Sequence, residues 1–196
     1  MTRKEDLKAA AHVPYRLLEE VPELSYTAKD EHTENMSSLT SSTATHDMWL
    51  LKNYHIDGAQ FYDWQWKHHV PLAGSVSSSA SSWKNINGTT NYASAVNDYI
   101  GGAHCYGMSA MNYNLMYGAF AGYGGHGSGV DYRWGLWTQS NGTNQWNISF
   151  PNGWATGNLN IFDPANSGWK NYIYQQEKNV FSAYNFDGWH VDQLGN

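Results

Sequence analysis

Phe186-Asp187-Gly188-Trp189-His190-Val191-Asp192-Gln193-Leu194-Gly195-Asn196 stands at the C-terminus of the chain. It reads as a short buried strand that carries a carboxylate out at its C-terminal end. Phe186, Trp189, Val191 and Leu194 supply apolar, β-preferring bulk, and Asp187-Gly188 punctuates the start. Alternation puts Trp189 and Val191 on one face, His190 and Asp192 on the other. In a barrel of parallel strands, a polar group at the C-terminal end of a strand faces the active site. The sequence stops one residue past Gly195, with no returning helix and no further strand. The expectation is a catalytic strand at the broken edge of a larger enzyme.

A second stretch repeats the pattern. Ile56-Asp57-Gly58-Ala59-Gln60-Phe61-Tyr62-Asp63-Trp64 also begins on Asp-Gly and leaves on a carboxylate. Asp-Gly is common turn chemistry, and an aspartate ending a strand often caps the next helix. Two such strands, both crowded with aromatics, favour a shared pocket.

The formal charge of −6, with 11 basic residues, argues against a nucleic-acid footprint. No apolar run approaches the ~18 residues of a membrane span. Cys105 is the one cysteine, which excludes an internal disulfide framework. Its setting, Ala103-His104-Cys105-Tyr106, reads as helix packing rather than as a nucleophile. Ten Trp and fourteen Tyr beside 19 Gly are far from an average domain. Such rings stack on the C–H faces of sugars, while amides and carboxylates bind sugar hydroxyls. Some of the rings must simply fill the core, but ten tryptophans exceed what a core of this size needs. Composition leans toward carbohydrate.

Residues 1–46 differ from the remainder. They hold Glu5, Glu19, Glu20, Glu23, Glu31 and Glu34, against Glu177 alone afterwards. Ser37 to Thr45 is a Ser/Thr tract without apolar periodicity. This segment reads as weakly structured or foreign to the rest of the chain, and no secretory signal pattern is visible in it. Residues 47–196 have a clear order. A helix tail at Asp47–Tyr54 precedes the strand Asp57–Trp64, and Gln65–Ser82 is a long loop. Asn91 is placed to cap a helix through Tyr92–Tyr106, closed by Gly107. Ser109–Tyr117 is the next strand, with Ala110, Asn112, Asn114 and Met116 alternating against Met111, Tyr113 and Leu115. Gly118–Pro164 is a loop too long for a plain connection. Asn166 or Ser167 caps a helix to Tyr184, and the terminal strand comes after it. Strand–loop–helix in this order means parallel strands with crossover helices. The fold class is therefore α/β, a partial (β/α)8 TIM barrel of about three units where a whole one needs ~250 residues.

Cleaving a glycosidic bond by the usual route takes two carboxyl groups flanking the anomeric carbon. Asp192 is the candidate nucleophile. Asp63 shares its loop end with Lys67, which favours the ionised form, so it suits gripping hydroxyls rather than donating a proton. Glu177, mid-helix beside Lys178, reads as solvated surface. No residue is left for the acid.

The stretch Tyr54 to His69 resembles glycoside hydrolase family 66, the bacterial endo-dextranases and cycloisomaltooligosaccharide glucanotransferases. Gly129-Val130-Asp131-Tyr132-Arg133-Trp134-Gly135-Leu136, Ile161-Phe162-Asp163-Pro164-Ala165-Asn166 and Phe186–Gly195 are similar to the same family, in the same order. The resemblance runs from about Asp47 onward. It implies a (β/α)8 catalytic domain that cleaves α-1,6-glucosidic bonds of dextran with retention and is secreted. It carries the family nucleophile onto Asp192 and a second essential aspartate onto Asp63. It also implies an acid/base glutamate some seventy residues beyond the nucleophile, so that this chain alone is inactive.

Tyr62, Trp64 and Tyr113 are candidate stacking or hydroxyl contacts, each weighed against plain packing. His190 shares the inward face with Asp192. His68-His69 could suggest a metal, but adjacent side chains diverge and no third ligand is spaced for them. One of the pair, here His68, is taken to donate a hydrogen bond to sugar. No metal and no cofactor is called for, and the partners are dextran and isomaltooligosaccharides. Endo-dextranase is the simpler outcome and the leading one, with the cyclising glucanotransferase as its alternative. A non-catalytic carbohydrate-binding module is the alternative of a different class, disfavoured by the two helices.

Overall fold

A computed structural model describes residues 41–124, 128–138 and 143–192. The expectations for residues 1–40 and for Gln193, Leu194 and Gly195 lie outside these.

Helix α1 (Ser41–Asn53) begins inside the segment read as weakly structured. Ala44 and Met48, one turn apart, are buried and meet Gly102 of helix α2 (Ala93–Cys105). A Cβ on Gly102 would lie 3.1 Å from the Ala44 carbonyl oxygen, so the missing side chain is what lets the helices close. A single Ala-x-x-x-Met contact has too few apolar positions to register as periodicity in a Ser/Thr tract.

Strand β1 (Gly58–Phe61) follows α1. The stretch read as one long loop holds the hairpin β2 (Gly74–Ser75) and β3 (Ser78–Ser79) and leads into a second pair, β4 (Ser82–Lys84) and β5 (Thr90–Tyr92). Asn91 does not cap α2. It lies in β5 and donates its amide to the Trp64 carbonyl at 2.8 Å, and the N-cap position, Tyr92, makes no side-chain bond. Gly107 does end α2, with φ +65 and its N–H on the His104 carbonyl. Cys105 is exposed rather than packed. The buried face of α2 is Val96, Tyr99, Ile100, Gly102 and Ala103, and position 105 falls off it.

Strand β6 (Ser109–Leu115) is the centre of a parallel sheet ordered β1-β6-β10, where β10 is Gly188–Asp192. Gly58 pairs with Ser109 and Phe61 with Asn112, while Gly188 pairs with Met111 and Asp192 with Leu115. Parallel neighbours need a crossover. α2 supplies the first and helix α3 (Ser167–Ala183) the second. Asn166 caps α3, accepting from Gly168 N and Trp169 N. The architecture is α/β, and both Asp-Gly strands flank β6 in the same direction.

The long Gly118–Pro164 connection is structured. β7 (Gly118–Phe120), β8 (Asn147–Ser149) and β9 (Asn158–Ile161) form an antiparallel sheet ordered β7-β9-β8. Strands of three and four residues with Asn at alternate places gave no readable alternation. The main core lies between the parallel sheet and the helices, with Met48, Phe61, Trp64, Ile100, Val180, Tyr184 and Phe186. Phe162 stacks on Trp169 at 4.1 Å and joins the antiparallel insert to α3. Among the described residues no helix is long and apolar enough to cross a membrane.

Candidate active site

Because β1, β6 and β10 run parallel, the residues leaving them collect at one end of the sheet. Alternation on β6 and β10 puts Tyr113, His190 and Asp192 on one face. The Tyr113 hydroxyl donates to Asp192 Oδ2 at 2.8 Å. Among the described residues no other group hydrogen-bonds the Asp192 carboxylate. The Tyr62 ring packs on Tyr113 with centroids 4.4 Å apart, and His190 meets Tyr113 edge-on at 6.1 Å. His190 Nδ1 donates in a short bond to Gln60 Oε1, from β1 across the face of β6. Tyr62, Asp63, His190 and Asp192 are each partly exposed, and Tyr113 is buried beneath them.

Burial, then the charge of Asp63, then the Asp192 hydrogen bond push the Tyr113 phenol far above its ordinary range. Tyr113 therefore keeps its proton and can only donate to Asp192. Asp63 has φ +49, the left-handed region. A non-glycine residue held there points to a constraint beyond chain reversal, and strain of this kind collects at functional sites. Lys67 Nζ lies 4.1 Å above the Trp66 ring.

Trp64 departs from its expected role. It is 1% exposed, wedged edge-on against Trp83 and Tyr184 and tilted on Phe186, with Nε1 on Asn112 Oδ1 at 2.8 Å. It presents no face to a sugar; the left-handed turn at Asp63 folds it back into the core. His68 is also buried, at 2% exposure, and its Nδ1 lies 2.8 Å from Asn114 Oδ1. Burial pushes its pKa down to about 4, with Asn114 and Asp192 opposing. His69 Nδ1 accepts from Phe120 N at 3.1 Å, and burial pushes His69 down to about 3.

Glu177 is the largest correction. It is 3% exposed, not solvated. Asn112 Nδ2 donates to its Oε2 at 2.7 Å and Asn114 Nδ2 to its Oε1 at 2.5 Å, so the carboxylate is clamped from the helix side of β6. Burial pushes its pKa up to about 7 against both asparagine bonds. Asn112 and Asn114 are fully buried, and sequence reasoning gave them no role. The signal was present: two asparagines on the helix-facing side of a central strand need a polar partner, and α3 contains one glutamate.

Residues 22–196 match glycosyl hydrolase family 66, beginning upstream of Asp47. Two cycloisomaltooligosaccharide glucanotransferases of Niallia circulans are similar, one 30% identical over 84% of this chain, the other 32% identical over 74%. The chain spans only 16% and 15% of their lengths. A crystal structure of a Paenibacillus sp. cycloisomaltooligosaccharide glucanotransferase complexed with cycloisomaltoheptaose superposes with a TM-score of 0.74 at 28% identity. That match covers 85% of this chain and 23% of the other.

Proposed function

Because the chain belongs to glycosyl hydrolase family 66, we propose that it forms the nucleophile-bearing part of a (β/α)8 barrel acting on α-1,6-linked glucan with retention of configuration. The observation that carries this is Asp192, set at the C-terminal end of β10 under the Tyr113 hydroxyl. Tyr113 holds Oδ2, which leaves Oδ1 to form the bond to the anomeric carbon. The glycosidic C–O bond breaks, and the departing oxygen takes a proton from a general acid. Glu177 cannot be that acid, since both its oxygens are held behind β6. The acid comes from outside the described residues. Water, or a hydroxyl of the same glucan chain, then displaces Asp192 and returns the proton.

Intramolecular transfer, giving cyclic isomaltooligosaccharides, is the reading that the relatives favour over the simpler endo-dextranase. Both curated relatives are glucanotransferases, and the crystallised one is complexed with a cyclic product-like sugar. A non-catalytic binding module fits less well, because such modules are sandwiches of antiparallel strands, and the sheet holding Asp192 is parallel with helical crossovers.

A chimera tests this reading, with residues 47–192 replacing the matching segment of the Niallia circulans enzyme and the products on dextran separated by chromatography. Cyclic products are expected; linear products alone would return the reading to endo-dextranase. Asp192→Asn should abolish turnover and leave dextran affinity within a few-fold, whereas Asp63→Asn should weaken both. Substantial turnover in Asp192→Asn would refute the nucleophile assignment. Residues 1–196 alone should not turn over dextran, since a missing general acid costs roughly 10²–10⁴ in rate.

A further inference from the structure

Two adjacent buried histidines lie at the Asp192 end of the sheet, and the partners of each ring decide which nitrogen carries its proton. Asn114 is the key. Its Nδ2 donates to Glu177 Oε1 at 2.5 Å and to the His68 carbonyl at 2.9 Å, and its Oδ1 accepts from Leu115 N at 2.9 Å. The two backbone partners have fixed polarity and set that amide one way round. The oxygen facing His68 Nδ1 at 2.8 Å is therefore an acceptor, and Nδ1 must donate. The Gln65 amide also lies against Nδ1, at 2.9 Å, with its own Oε1 buried and unpartnered. Among the described residues no other bond fixes the Gln65 amide, so a half-turn of it, which presents its oxygen instead, satisfies Nδ1. His69 is set the opposite way. A backbone N–H, that of Phe120, points at its Nδ1, so the His69 proton is on Nε2.

On the reading of this site as a glucan site, we propose that Asn114 is a positioning residue that fixes His68 as the neutral Nδ1–H tautomer. His68 then offers Nε2 to a glucan hydroxyl as an acceptor, while His69 offers Nε2–H as a donor. This reverses the polarity that the sequence suggests for His68. Two imidazoles of opposite tautomer match a sugar hydroxyl, which both donates and accepts. A ring that stays neutral also places no cation beside the Asp192 nucleophile, whose attack a tight ion pair would hinder. Glu177 accepts from the same NH2 and from Asn112, so it steadies an amide that two backbone groups already orient.

The test is 15N NMR of the full chain labelled on histidine, at pH 7, under magic-angle spinning so that association does not matter. His68 is assigned by its loss in His68→Gln, and His69 serves as the internal opposite. His68 should show a protonated-type Nδ1 and an unprotonated-type Nε2, with the order inverted at His69. An Nε2–H or doubly protonated His68 would overturn the proposal in the wild-type protein, with no variant needed. Asn114→Ala removes the acceptor and lets the Gln65 NH2 face Nδ1, so it should move part of the His68 signal to the inverted tautomer. A folded Asn114→Ala chain that keeps pure Nδ1–H would overturn the positioning role. Isomaltotriose is added separately. Expected tautomers with no perturbation by the sugar would refute the glucan reading and not the positioning role.

Discussion

Replacing Glu177 by Gln should change how stability responds to pH. Burial moves this carboxyl from its ordinary 4.5 to about 7 in the folded chain. Between those values the folded state holds a proton that the unfolded state has released. Stability from this group is therefore complete below about pH 4.5 and is lost as pH rises through about 7. The interval is 2.5 pH, and at ~1.36 kcal/mol per unit the group loses about 3 kcal/mol of stabilisation across it. His68 and His69 act in the opposite sense. Their folded values, about 4 and about 3, lie below the ordinary 6.5, so their contribution is lost as pH falls below 6.5. The wild-type curve mixes the two trends, and only the difference from Glu177→Gln isolates the carboxyl. Urea unfolding followed by tryptophan fluorescence at half-unit steps from pH 4.5 to 8 gives that difference. The wild type should lose ground to the variant by about 3 kcal/mol between pH 4.5 and 7, then run parallel to it. A difference that stays constant over that range would show that Glu177 is not a buried titrating group.

Tyr113→Phe in the chimera removes the Tyr113 hydrogen bond to the Asp192 carboxylate. Bonds to charged groups are worth about 1.5–3 kcal/mol, so kcat/KM should fall roughly 10–150-fold; an unchanged value would separate Tyr113 from catalysis. Trp64→Ala empties a fully buried site and orphans Asn112 Oδ1. It should cost about 3–5 kcal/mol in urea unfolding. Unchanged stability with lost glucan affinity would put Trp64 back among the sugar contacts.

The parallel sheet was legible because Asp-Gly punctuation and two-residue alternation are local signals. Gly188–Asp192 is a strand with the faces expected, and β6 alternates as read. Asp192 and His190 fall on one face by alternation alone, whereas the Tyr113 contact needs the register of β10 on β6. The features that escaped depend on partners far away in sequence. Glu177 beside Lys178 has the local chemistry of a surface residue, and only Asn112 and Asn114, more than sixty residues earlier, make it interior. Trp64 follows Asp63 by one position, and a single left-handed dihedral separates a site residue from a core residue there. The insert strands were too short and too rich in asparagine for any period to show.

The antiparallel insert leaves and rejoins the fold almost at one point. Phe162 N donates to the Tyr117 carbonyl at 2.7 Å, and Trp169 Nε1 to the Met116 carbonyl at 2.7 Å. A segment whose two ends are already tied together adds little closure entropy whatever its length. Tyr117, at its root, feels the charge of Asp192, so the join lies beside the proposed nucleophile. The piece between Tyr117 and Phe162 can thus change length at little entropic cost, so long as Phe120 and Leu159 stay packed on Leu115 and the Phe120 N–H stays on His69. On the proposed function, that length is a handle for changing which glucan ends reach the intermediate.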